Sequence, residues 1–123
     1  MAGRVVVSTL NNDTGVLATQ NGMTGIAKAW VNYKATATVS IRDSFNVSSV
    51  TIVSTGIFTI NFTTAMPNAN YAVVYCGGDP AVSSTVSVGY TRASTTSGVT
   101  FSTYNLSGSL FDSPLTALTV FSS

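Results

Sequence analysis

The sequence contains no histidine and no glutamate, and only 7% of its residues are charged. Without histidine, the chain lacks the side chain that most often moves protons near neutral pH. Its carboxylates are four aspartates, two of which lie beside proline-marked turns where aspartate is usually structural. A pair of aspartates acting on a glycosidic bond is the remaining enzymatic alternative. We predict a protein that is not an enzyme, with no catalytic, cofactor-binding or metal-binding residues.

Cysteine, long apolar runs and clustered positive charge are equally scarce. Cys76 is the only cysteine, so no intramolecular disulfide can form, and we expect a buried, inert thiol. No apolar run is long enough for a membrane span, and the three valines of MAGRVVVSTL are too few for a signal-peptide core. Five scattered cations and a net charge of +1 argue against nucleic-acid binding. The alternative is that the protein binds single-stranded nucleic acid, with Trp30 and Tyr33 as a platform on which bases stack.

Serine and threonine are abundant and account for 36 of the 123 residues. Apolar residues make up 45% of the chain, which is enough for one domain with a core. Valine, threonine, isoleucine, tyrosine and phenylalanine are plentiful, as is typical of an all-β protein. A charge-poor surface favours association, and charge depletion marks the centres of protein interfaces. We therefore expect exposed faces that are occupied by a partner.

Period-two alternation is clearest where Phe58, Ile60 and Phe62 alternate with Thr59 and Asn61, which predicts a half-buried antiparallel strand. Glycine and proline clusters separate similar segments at the short spacing of a sandwich. The predicted fold is all-β: an antiparallel, jelly-roll-like β-sandwich with an extended N-terminal arm. The predicted strands are Ala27–Tyr33, Thr36–Arg42, Ser44–Val53, Gly56–Thr63, Asn70–Cys76, Thr85–Thr91, Gly98–Tyr104 and Leu115–Phe121.

The chain divides into an arm over residues 1–25 and a sandwich over residues 26–123. The arm has a short valine segment and no clear periodicity, so we expect it to attach the protein to something that receives it. The predicted oligomer or attachment residues are Val5, Val6, Val7 and Trp30. The predicted core comprises Val39, Ile41, Phe45, Val47, Ile52, Phe58, Ile60, Phe62, Tyr71, Val73, Val86, Val88 and Phe101.

Three segments in residues 27–74 carry a resemblance to a known family. AKAWVNYK is followed by SFNVSSV, a glycine turn, and IFTINFTTAMPNANY. This combination resembles a module found at the C-terminal ends of tail fibres and other structural proteins of tailed bacteriophages. The likeness covers about two-fifths of the chain, and after Tyr75 the sequence consists of generic strands. The resemblance implies a virion protein that is usually homotrimeric and has no catalytic residues.

The resemblance implies a function and partners. Because only about 25 residues precede the module, we expect a short version of a fibre end, such as a head-decoration or knob protein. The predicted function is a non-enzymatic, homotrimeric decoration or fibre-like protein, anchored by its arm to the major capsid protein or to a tail or fibre subunit. Its expected location is the virion, assembled in the host cytoplasm. The alternative is a tail-fibre tip that recognises host-surface glycan.

The glycan alternative has candidate residues in the second half of the chain. Tyrosine and asparagine provide adaptable hydrogen bonds without the desolvation of charge. Tyr90, Tyr104 and Asn105 are therefore the candidate ligand contacts. The alternative interpretation is that Tyr90 and Tyr104 are partly buried tyrosines of strands and contact no ligand.

Overall fold

A computed structural model describes residues 3, 6, 9–12, 15–18, 25–79, 81 and 86–122. Within these residues the regular structure is almost entirely β, as the alternating pattern and the abundance of β-branched residues predict. The strands are β1 Thr9–Asn12, β2 Gly15–Ala18, β3 Ala27–Lys34, β4 Ser40–Phe45, β5 Val47–Ser54, β6 Ile57–Phe62, β7 Ala72–Gly78, β8 Val88–Thr95, β9 Gly98–Tyr104 and β10 Leu115–Phe121.

The last eight strands form two four-stranded sheets that pack against each other. The front sheet has the strand order β4-β3-β10-β7, and the back sheet has the order β5-β6-β9-β8. Every pairing in both sheets is antiparallel. This arrangement confirms the predicted all-β antiparallel sandwich, and eight strands in two sheets is the strand content of a jelly roll.

The segment predicted as an arm contains a small hairpin. β1 pairs with β2 from Thr9 opposite Ala18 to Asn12 opposite Gly15. Val6 is exposed, whereas Val5 and Val7 lie outside the described residues. The described part of the segment is therefore a paired ribbon rather than a single extended strand.

Two predicted strands differ from the observed ones because the backbone adopts positive φ. The predicted strand Thr36–Arg42 begins only at Ser40, since Ala37 has a φ of 61°. The predicted strand Ser44–Val53 is interrupted at Asn46, which has a φ of 54°. Asparagine tolerates this left-handed conformation better than most residues. The break carries the chain from the front sheet to the back sheet.

Asn46 also fixes this crossing with its side chain. Its Nδ2 donates to the carbonyl oxygens of Lys28 at 2.9 Å and Thr64 at 3.1 Å. Its Oδ1 accepts a hydrogen bond from the Thr64 amide at 2.7 Å. One side chain therefore joins the start of β3, the β4–β5 junction and the segment after β6.

The core lies between the two sheets, and the prediction was right for its centre. Phe58, Ile60, Phe62 and Phe101 are buried, and Tyr33 packs edge-on against Phe58 with ring centroids 5.7 Å apart. Four other predicted members are half-buried against this cluster: Val39, Val47, Tyr71 and Val73. The buried residues that the prediction missed are Ala29, Val31, Tyr33, Ala35, Met66, Val99, Leu118 and Val120.

Five predicted core residues are exposed, so their assignment was wrong. They are Ile41, Phe45, Ile52, Val86 and Val88. Ile41, Phe45 and Ile52 belong to the edge strands β4 and β5, and Val88 begins the edge strand β8. Alternation shows that a strand has two faces but does not say which face is covered, and edge strands are covered least.

Candidate functional site

The outer surface of the front sheet, called the front face here, carries a row of mostly apolar side chains. Trp30 lies opposite Phe45 on β4 and opposite Thr119 on β10, and Thr119 lies opposite Val74 on β7. Ala29, the strand neighbour of Trp30, is fully buried, so Trp30 points outward because successive side chains alternate. Phe45 is 53% exposed and Val74 is 56% exposed. The row spans all four strands.

Neighbouring positions extend this apolar surface. Cys76 and Ala117 lie opposite each other one step along β7 and β10, and Phe121 lies opposite Ala72 at the other side of the row. Cys76 is exposed, which corrects the prediction of a buried thiol. The thiol is exposed because its neighbour Tyr75 takes the inward position against the core.

The charged side chains of the front sheet lie near the two ends of β3 and on the edge strand β4, and the row itself carries none. Asp43 lies opposite Asn32 on the edge strand β4. The Arg42 guanidinium donates to Asn32 Oδ1 at 3.3 Å and to the Pro114 carbonyl at 2.8 Å. An apolar, aromatic centre with charges at the margin is the usual anatomy of a protein–protein interface.

A groove continues the front face at its Phe45 side. Its volume is about 520 Å³, and Phe45 contributes to both the groove and the apolar row. Its lining is mostly apolar or uncharged: Ile26, Ala27, Lys28, Phe45, Asn46, Thr63, Thr64 and Ala65. The groove lies where β3 begins.

The outer surface of the back sheet, called the back face here, carries a pair of tyrosines at one end. The rings of Tyr90 and Tyr104 stack at 10° with centroids 5.7 Å apart, and their hydroxyl oxygens are 3.2 Å apart. The Arg92 guanidinium lies 6.0 Å from the Tyr90 ring centroid. Arg92 is the unpaired residue at a register shift between Thr91 and Ala93. This shift displaces Arg92 from the regular ladder.

The shared hydroxyl contact separates the acidities of the two phenols. It lowers the pKa of Tyr90 and raises the pKa of Tyr104. Ser102 and Arg92 contribute smaller effects on both groups. Both hydroxyls lie at the surface, where a ligand can reach them.

A ladder of uncharged polar side chains covers the centre of the back face. The hydroxyls of Thr59 and Thr100 are 3.0 Å apart, so one donates to the other across β6 and β9. Asn61 Nδ2 donates to Ser49 Oγ at 3.0 Å and to Thr51 Oγ1 at 2.9 Å. These contacts order the hydroxyls, which remain partly accessible to solvent.

The structure brings together two of the three predicted ligand contacts. Tyr90 and Tyr104 form the pair described above. Asn105 is adjacent in sequence, but its Oδ1 accepts from the Ser109 amide at 3.0 Å and holds the turn that follows β9. Trp30 lies on the opposite outer face of the sandwich. Its position in the polar register of AKAWVNYK, between lysines and asparagine, was the sequence signal for an outward tryptophan.

The aspartates that the structure describes accept hydrogen bonds from backbone amides. Asp43, Asp79 and Asp112 accept hydrogen bonds from the amides of Ser44, Ala81 and Gly56, respectively. Among the described residues, no group of three potential metal ligands lies together. Asp13, the fourth aspartate, lies outside the described residues. Over the part of the chain that the structure describes, no helix has the length and apolarity to span a membrane.

Comparison with protein-family models, curated proteins and solved structures finds no match to this chain. The resemblance to the phage module therefore depends on the residues of β3 to β6 and the Met66-Pro67 segment quoted above.

Proposed function

We propose that the protein is a non-enzymatic structural component of a tailed-bacteriophage virion, a homotrimeric decoration or fibre-like protein. In this proposal, residues 1–25 attach it to the major capsid protein or to a tail or fibre subunit. The motifs of residues 27–74 support the phage origin. The row formed by Phe45, Trp30, Thr119 and Val74 on the front face supports the self-association.

Self-association is favourable because it removes the apolar side chains of this row from water. Burial of apolar surface contributes about 25 cal/mol per Å², and buried aromatic side chains dominate interface energies. Trp30 has the residue type and the central position of an interface hot spot. A second copy is the occupant that the resemblance implies, and a closed ring of three copies would cover the face on each.

Light scattering coupled to size-exclusion chromatography tests the association. We expect the wild-type protein to elute as a trimer at micromolar concentration. Trp30→Thr should shift it toward monomer while retaining the β-rich circular dichroism spectrum, because threonine suits an outward strand position. Tyr104→Thr, an aromatic replacement on the opposite face, is the matched control and should remain trimeric. A wild-type monomer at this concentration would rule out the trimer.

Electron microscopy tests the location. Particles labelled with an antibody against this chain should carry label on the head shell or at the tail fibres. Absence of the chain from purified particles would contradict a virion role.

A second candidate function is a receptor-binding module for host-surface glycan, which the back face favours. The exposed Tyr90 and the half-buried Tyr104 provide aromatic and hydroxyl surface, and the neighbouring ladder provides further hydroxyls. Both functions can coexist because they use opposite faces of the sandwich. Glycan-array binding that disappears in Tyr104→Ala would support this function, and no binding across host polysaccharides would contradict it.

A further inference from the structure

We propose that the surface formed by Arg92, Tyr90 and Tyr104 binds an acidic saccharide and that Arg92 recognises its carboxylate. The proposal depends on the second candidate function, because it specifies the ligand class of that same surface. It commits to a sugar unit with a carboxylate, such as a uronic or sialic acid within a polysaccharide.

The distribution of charge on the back sheet supports an acidic ligand. The four strands of the back sheet contain one charged side chain, Arg92, and no carboxylate. A single cation on an otherwise uncharged polar surface attracts an anion without competition from an acid on the same sheet. The guanidinium also has the planar, multi-donor geometry that pairs with a carboxylate through two hydrogen bonds.

Placement of the guanidinium is the second observation. Arg92 lies outside the regular ladder at the register shift, and its guanidinium lies beside the Tyr90 ring. The contact with the ring face restricts the long side chain, so less rotamer entropy is lost when a ligand binds. The cation is therefore held next to the tyrosine pair.

The tyrosine pair itself is the third observation. The hydroxyls of Tyr90 and Tyr104 lie 3.2 Å apart, so one donates to the other and the accepting hydroxyl keeps its own proton for a ligand. A sugar presents both acceptor oxygens and apolar C–H faces, which match phenolic hydroxyls and ring surface. The ladder of Thr59 and Thr100 extends this hydrogen-bonding surface along the sheet.

A single cation also argues against a nucleic-acid ligand. Affinity for nucleic acid grows with the number of phosphates neutralised, and one arginine neutralises few. A sugar acid needs only one cation for each recognised unit.

The test is saturation-transfer NMR with a panel of acidic oligosaccharides that contain uronic or sialic acid, each paired with its carboxyl-reduced form. The wild-type protein should bind at least one acidic member about tenfold more tightly than its reduced partner, as a charge-assisted hydrogen bond predicts. Arg92→Gln should abolish that preference and retain the affinity for the reduced form. Tyr90→Ala should weaken binding of both forms.

Lys34→Gln is the matched control, because it removes the same charge from the front sheet and should leave binding unchanged. Equal binding of acidic and reduced forms, or an unchanged preference in Arg92→Gln, would overturn the proposal and leave glycan recognition standing. Binding of a single-stranded oligonucleotide in place of every sugar would overturn it as well. If no member of the panel binds, both the proposal and the second candidate function fail, whereas the association through the front face is tested separately.

Discussion

The backbone amide of Gly56 donates a 2.6 Å hydrogen bond to the carboxylate of Asp112. The Gly56 carbonyl accepts from the Thr103 amide at 2.8 Å. The β5–β6 turn is thereby joined both to β9 and to the loop before β10. Because this connection requires a φ of 68° at Gly56, the turn tolerates few replacements.

Gly56→Ala should be among the most destabilising single substitutions in the sandwich. A Cβ at this position would lie 2.6 Å from the Phe111 nitrogen and 2.8 Å from the Thr103 oxygen, both of which are backbone atoms. We expect a loss of about 3 kcal/mol in the free energy of unfolding, since steric clash adds to the strain of positive φ. Urea denaturation followed by circular dichroism measures it.

Gly108→Ala is the control for this clash. Gly108 has a φ of 82°, but no heavy atom beyond its two chain neighbours lies within 4 Å of the added Cβ. Only the backbone strain remains, so we expect a loss of about 1 kcal/mol. Equal losses for the two variants would contradict the role assigned to the contacts of Gly56.

Asn46→Ala should destabilise the crossing between the sheets. It removes three hydrogen bonds to the backbone of Lys28 and Thr64 and places alanine at positive φ. We expect a loss of about 2 kcal/mol, because partly exposed backbone groups lose their partners and strain is added. Asn46→Gly keeps the conformation but loses the bonds, so it should be less destabilising. Thermal denaturation compares the two variants, and the reverse order would show that the strain of alanine at positive φ contributes little.

Tyr33→Phe should leave the stability unchanged at neutral pH or raise it by up to about 1 kcal/mol, because it removes a hydroxyl that is buried without a good partner. Neither Tyr33 Oη nor Thr116 Oγ1 makes a hydrogen bond of good geometry among the described residues. A loss of more than about 1 kcal/mol would indicate that the hydroxyl is satisfied after all.

The same tyrosine predicts a loss of stability in alkali. Burial raises the pKa of Tyr33 well above its ordinary value near 10, and the contact with Thr116 only partly opposes this rise. Below pH 10 the phenol is protonated in both folded and unfolded chains, so its contribution is fully present. Above pH 10 the unfolded chain ionises first, and stability falls by about 1.4 kcal/mol per pH unit from this group.

Tyr71 and Tyr75 add to this loss, because burial raises the pKa of both groups. Urea denaturation at a series of pH values from 8 to 12 measures the decline. Tyr33→Phe should decline less steeply than wild type, and an identical pH profile would contradict the assignment.

Cys76 provides an independent reporter of the front face. In the proposed trimer the thiol is covered, so a maleimide reagent should label wild-type protein slowly at micromolar concentration. Trp30→Thr should restore rapid labelling, because it releases the face that contains Cys76. Labelling that is rapid in both proteins would indicate that the front face stays open. Dilution of the wild-type protein should raise the labelling rate as the assembly dissociates.

The sequence predicted β6 well and the two outer faces poorly, for a physical reason. β6 lies between β5 and β9, so the alternation of Phe58, Ile60 and Phe62 matches a strand covered on one face. For Phe45 the same alternation was compatible with either face. Phe45 lies on the outer face because it pairs with Trp30. This pairing depends on how the chain turns at Asn46.

The apolar row and the tyrosine pair required information that lies far apart in the chain. Trp30 pairs with Thr119, which lies far away in the sequence, and a local sequence pattern does not predict such a pairing. Tyr90 and Tyr104 were both proposed as ligand contacts, but their stacking depends on the β8–β9 register. The register shift at Arg92 has no adjacent glycine or proline from which it could be predicted.

The pairing of β3 with β10 places the beginning and the end of the sandwich side by side, with Ala27 opposite Phe121. Neighbouring ends are the geometry that permits circular permutation. A short linker between these ends, with a new opening in the exposed turn at Leu106–Gly108, would preserve every strand pairing of both sheets. With residues 1–25 moved to the new N-terminus, such a permuted chain would carry the proposed attachment segment at the tip of β9, beside the tyrosine pair. The position of residues 1–25 and the structure of the sandwich can thus be varied separately.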